Sequence, residues 1–193
     1  MLTIVLIRPG ATDYDKYGRI QGTLDIPLNG TGNAEVGQLI EQLRGRDLEA
    51  IYTSDSEPSL ETASLLADGL DIKFKKLDDM QNLDHGLWQG LLVSEIRRKY
   101  PKLYRQWQEQ PESVCPPNGE MLDEARQRLQ VALRKLVKRH RAGVIGLVLP
   151  EPLATIARAQ LCHCAWGDLW KSTAEHGHWE AIEVRPAELV AAR

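Results

Sequence analysis

Short apolar runs alternate with amphipathic stretches along almost the whole chain, and this alternation constrains the fold more than any other feature. "TIVLI" at Thr3–Ile7, "LEAIYTS" at Leu48–Ser54 and "GVIGLVLP" at Gly143–Pro150 have the length and β-branched content of buried strands. Helical patterns follow each of them. In "LNGTGNAEVGQLIEQLRGRD", Val36, Leu39, Ile40 and Leu43 recur at helical spacing. In "EPSLETASLLADGL", Leu60, Ala63, Leu66 and Ala67 share one face, and Gly69 is the expected stop. "MLDEARQRLQVALRKLVKRHR" places Leu122, Ala125, Leu129, Ala132, Leu133 and Leu136 on a single stripe. "LATIARAQLCHCAW" supplies the helix after the third run, while "IKFKKL" and "HWEAIEVRP" read as two further strands, the first less buried. Residues 78–117 carry Trp88 and Trp107 but no strand signal, and read as helices and loops over the sheet. Repeated strand–helix units dictate an α/β fold with a mainly parallel sheet and helices on both faces. Ligands in such folds bind beyond the carboxyl ends of the strands, the edge at which Arg8, Ser54 and Pro150 are expected.

A chain of 193 residues fits one domain, since domains run to roughly 100–200 residues. The formal charge of −3 argues against nucleic acid as a partner. No apolar run reaches the roughly 20 residues that span a bilayer, so no membrane partner is expected, and the first residues lack the pattern of a secretory signal. Three cysteines, Cys115, Cys162 and Cys164, do not make a disulfide framework, and a cytoplasmic location is expected. No P-loop and no dinucleotide fingerprint is present. "CHC" at Cys162–Cys164 and "HGH" at His176–His178 suggest zinc, but residues two apart on a helix diverge, and a tetrahedral site needs four converging ligands. Neither metal nor cofactor is expected, and the two cysteines read as small core or boundary side chains.

The first strand ends in "RPGAT". An arginine at a strand's carboxyl edge beside a glycine turn suits an anion site. Between Arg8 and Gly10, where a reactive side chain would complete such a site, stands Pro9, which has no nucleophile, no acid and no backbone N–H.

Five segments together resemble the histidine phosphatase superfamily, in its cofactor-dependent phosphoglycerate mutase-like branch. "LIRPGATDYDKYGRIQGTLDIPLNGTG", "IYTSDSEPSLETASLLA", "LDHGLWQG", "PPNGEMLDE" and "VIGLVLPEPLATIARAQL" follow that family's motifs in order and nearly end to end. The resemblance implies a phosphoglycerate mutase-like three-layer sandwich with a small helical cap. It implies one domain over 1–193 with a cap-like insertion at 78–120. It also implies where phosphoryl transfer would be carried. The family's first arginine is kept as Arg8, but its nucleophilic histidine falls on Pro9, its second arginine on Pro58, its acid on Asn82 and its second histidine on Pro150. Gly10, Gly86, Trp88, Gly119 and Glu120 match the family's pocket surroundings.

Loss of one member of a nucleophile unit can cost about 10⁶ in rate, and here four positions differ at once. The expectation is therefore a catalytically degenerate binding or regulatory module, a pseudoenzyme that keeps a partial anion pocket. Its candidate ligand residues are Arg8, Thr12, Arg19, Gln21, Gly22, Asn82 and His85, with His85 read as a rim histidine whose polar edge stays in solvent. It would take a small anionic or phosphorylated ligand held by Arg8, or a protein partner held elsewhere on the surface. The alternative is a divergent phosphomonoester phosphatase or mutase that acts without a phosphohistidine.

Overall fold

In the computed structural model, residues 1–172 and 175–185 are described. Five strands, β1 (Leu2–Ile7), β2 (Leu48–Thr53), β3 (Phe74–Lys76), β4 (Gly143–Val148) and β5 (Trp179–Val184), form one sheet in the order β3-β2-β4-β1-β5. β1, β2, β3 and β4 pair in parallel, and only β5 runs antiparallel, against β1. The central strands are continuously apolar because both of their faces are covered. In β1, Leu2, Ile4 and Leu6 enter one apolar cluster while Val5 and Ile7 enter another. The first cluster packs against α6 (Leu122–Arg139) and α7 (Leu153–Cys162), the second against α2 (Gly30–Leu43) and α3 (Glu57–Leu70). The result is the expected three-layer sandwich. Among the described residues, no helix is long and apolar enough to cross a membrane.

The local chemistry matches the elements. All six stripe residues of α6 are buried, and the Glu124 carboxylate accepts from the Met121 N–H at 2.9 Å, closing the first turn. Asn29 caps α2 by accepting from the Gly32 N–H at 2.9 Å. β3 is exposed at all three positions; a short, lysine-bearing edge strand of this kind resists pairing with other chains.

Two expectations need correction. α3 does not stop at Gly69 but runs to Leu70 and closes at Asp71, in the left-handed region at φ 55°. Gly69 instead lies against the Ile40 side chain, where a Cβ would collide. Cys162 and Cys164 are exposed rather than core. α7 ends at Cys162 and the chain turns left-handed at His163, so both thiols project from a helix end. Among the described residues, no group of three or more His, Cys, Asp or Glu side chains could hold a metal ion.

Residues 78–120 form three 3-10 turns (Asp78–Met80, Gly86–Trp88 and Pro111–Ser113), with α4 (Val93–Lys99) and α5 (Pro101–Glu109) between the second and third. Their core is aromatic: Trp88 and Trp107 meet edge to face at 5.7 Å, and Tyr104 stacks on Trp170 of α8 (Leu169–Ser172) at 5.1 Å. The remaining helix, α1 (Asp13–Tyr17), follows β1 directly.

Candidate active site

The carboxyl ends of β1, β2 and β4 leave a narrow cleft. Pro9, Pro58 and Pro150 line it together, so three positions separated by about fifty and ninety residues converge. Thr12, Arg19, Gln21, Gly22 and His85 line the same cleft. Asp15, Glu151, Glu175 and His176 complete its polar side. The prolines are compatible with the sheet because each of Pro9 and Pro150 lies just past a strand end.

Arg8 does not line this cleft. It lies in its wall, with a side chain 3% exposed, and borders a second hollow with Thr155, Arg158 and Glu180. Its Nε donates to Glu151 at 2.8 Å and its Nη1 to Glu180 at 2.6 Å. Burial alone would ease the guanidinium towards neutrality, but the two carboxylates outweigh it and the net shift is upward. Burial drives the Glu151 carboxyl above its ordinary range, with Arg8 opposing. Glu180, also raised by burial alone, ends lower because Arg8 and Arg158 both donate to it. Arg8 is thus a charge-assisted tie between β1, the turn before α7 and β5.

Asn82 is likewise committed. Its Nδ2 donates to the carbonyls of Gly22 at 2.9 Å and Glu151 at 3.1 Å, and its Oδ1 accepts from the Leu83 N–H at 2.9 Å. At 2% exposure, the carboxamide clips two cleft loops together. Thr12 caps α1, its hydroxyl donating to Asp15 at 2.8 Å. Arg19 is exposed and anchored by one bond, from Nη1 to the Gly90 carbonyl at 2.6 Å. Among the described residues lining the cleft it is the one guanidinium.

His85 is not a rim residue. It is 2% exposed and its ring lies 5.6 Å from that of Trp107. The turn at Gly86–Trp88 rotates it inward. Its Nδ1 is buried without a hydrogen-bond partner. Burial lowers its pKa to about 4, against a smaller opposing pull from Asp84, so the ring is neutral at neutral pH.

His176 was legible only as part of the "HGH" string. It enters the cleft from the loop before β5, and its Nδ1 meets the carboxylate of Glu35 on α2 at 2.9 Å. Nothing in the local spacing of 35 and 176 signals this pairing; only the fold brings them together.

A family model described as histidine phosphatase superfamily (branch 1) matches residues 4–193. Phosphoserine phosphatase 1 of Hydrogenobacter thermophilus is 33% identical over 140 residues, 72% of this chain and 66% of that protein. The metal-independent phosphoserine phosphatase of Arabidopsis thaliana is 30% identical over 148 residues, 75% of this chain and 62% of that protein. The matched region thus spans less than two thirds of these curated relatives. Among solved structures, Bacillus stearothermophilus YhfR superimposes with a TM-score of 0.83 at 27% identity, covering 95% of this chain and 92% of that one.

These relatives correct the expectation of a non-catalytic module. Both curated relatives carry phosphatase names, which overturns the expectation of a pseudoenzyme. A cavity at the strand ends is present, lined by Pro9, Pro58 and Pro150 among others.

Proposed function

The chain belongs to the histidine phosphatase superfamily, and from that premise we propose that it is a divergent phosphomonoester phosphatase that acts without a phosphohistidine. The cleft at the carboxyl edge of β1 and β4 carries this reading, with Arg19, Gln21, Gly22 and His176 among the residues that line it. Arg19 is free enough to meet a phosphoryl group, and Arg8, behind the wall, offsets the charge of Glu151. Of the candidate ligand residues, Thr12, Gln21, Gly22 and His85 shape the cleft, while Arg8 and Asn82 hold its loops in place. Residues 1–193 are read as one domain, with 78–120 as its cap.

Hydrolysis is favoured over a mutase reaction. A mutase must store the phosphoryl group on the protein between two substrate positions, and Pro9 can store none. Attack by water needs no such carrier. The phosphoserine phosphatase relatives make O-phosphoserine the first candidate.

The test is release of inorganic phosphate from O-phosphoserine and from p-nitrophenyl phosphate by the purified chain, with an Arg19→Ala variant prepared identically. Turnover that falls by about 10²-fold in the variant, the usual size for loss of one transition-state donor, is expected. Absence of turnover, or equal turnover by the variant, overturns the reading.

A further inference from the structure

With proline at position 9 water itself attacks phosphorus, and with asparagine at position 82, where the resemblance puts the family's acid, another group is needed to take the proton from that water. A base suited to that role faces the cleft, is fixed by a second residue, and leaves one basic atom uncommitted. Three cleft carboxylates are poorly placed. Asp15 accepts from the backbone N–H and hydroxyl of Thr12 at 2.6 and 2.8 Å. Glu151 is bound to Arg8. Glu175 lies near both Arg8 and His178, at 3.7 and 3.6 Å.

His176 differs. Its Nδ1 is 2.9 Å from Glu35 Oε1 and 3.0 Å from Oε2, and Nε2 has no partner among the described residues. Glu35 is itself held, because its Oε2 accepts from the Ala11 N–H at 2.9 Å. The carboxylate therefore ties the ring to the loop that carries Pro9. A second observation points the same way. Gly177 has φ +61°, and a Cβ there would strike the Glu35 carboxylate. The glycine beside His176 makes room for the pairing.

We propose that His176, oriented by Glu35, is the general base of the reaction, an inference that rests on the hydrolytic reading above. Nε2 takes a proton from water as the new P–O bond forms. The P–O bond to the leaving group breaks, and the departing alkoxide takes a proton from solvent. Nδ1–H donates to Glu35, which fixes the tautomer that leaves Nε2 unprotonated and stabilises the imidazolium formed. Glu35 is a positioning residue.

The experiment compares p-nitrophenyl phosphate hydrolysis by the parent chain with that by His176→Ala and His176→Asn. General-base removal typically costs about 10²–10⁴ in rate, so both variants should lose kcat on that scale with KM largely unchanged. Imidazole added to the buffer should restore part of the loss in His176→Ala. His176→Asn can still donate to Glu35 but has no base, so it separates chemistry from loop anchoring. Recovery of activity in His176→Asn, or parent-like turnover in His176→Ala, overturns the inference while the hydrolytic reading stands. A parent chain with no turnover overturns that reading itself, and this inference with it.

Discussion

At the scale of single residues, His85 shows how burial alone sets a chemical state. Its ring is enclosed by Trp88 and Trp107 and is neutral down to a pKa of about 4, against 6.5 for a free imidazole. The unfolded chain takes up a proton there below pH 6.5, while the folded chain does not until about pH 4. Stability therefore falls as pH drops through that window and levels off below it, by on the order of 3 kcal/mol. Denaturant titrations of the parent and of His85→Phe between pH 7 and pH 4 check this. The parent should weaken across the window and the variant, which has nothing to protonate at this position, should show a flatter profile. Equal slopes would mean that His85 is protonated in the folded protein. Sequence reading placed this histidine on the rim because polarity is visible in the string and the inward turn of Gly86–Trp88 is not. Arg8 was similarly half legible. Its position at the end of β1 followed from the pattern, but its ties to Glu151 and Glu180 depend on residues far along the chain.

At the scale of elements, the strands and long helices followed from hydrophobic period because burial imposes that period directly. β1, α6 and β5 lie where the alternation and the 3.6-residue stripe put them. Helix ends were harder. The stop of α3 fell one residue past Gly69 because packing against Ile40, and not a turn, is what the glycine serves. The joint between residues 78–120 and the remainder was visible only as the pair of segments "LDHGLWQG" and "PPNGEMLDE". Their interlock is a backbone matter: the Leu87 N–H donates to the Pro117 carbonyl at 2.9 Å, and the Glu120 N–H to the Asp84 carbonyl at 3.0 Å. Gly86 sits at φ +49° where a Cβ would meet the Pro117 carbonyl. Gly86→Ala should therefore destabilise the chain by about 1–3 kcal/mol for the strained backbone, seen as a lower Tm in thermal melts. An unchanged Tm would show that the two loops are free to separate.

At the scale of the whole molecule, the five-stranded sheet gathers the cleft from segments that are remote in the chain. The loop after β1, the start of α3, the turn at His85, the turn before α7 and the loop before β5 all contribute. The topology made the location of the site readable, since strand ends in a parallel sheet converge on one edge. Pro9, Pro58 and Pro150, which the resemblance singles out, line one cavity. What could not be read was the Glu35–His176 pairing, because it joins a helix to a loop some 140 residues later. The central claim is hydrolysis without a phosphoprotein intermediate. A single rapid-quench experiment tests it most directly: the purified chain is mixed with a ³²P-labelled phosphomonoester, and protein-bound and free phosphate are followed together. Free inorganic phosphate accumulating without a burst, with the protein unlabelled throughout, is the predicted result. Label on the chain before release, or no release at all, would contradict it.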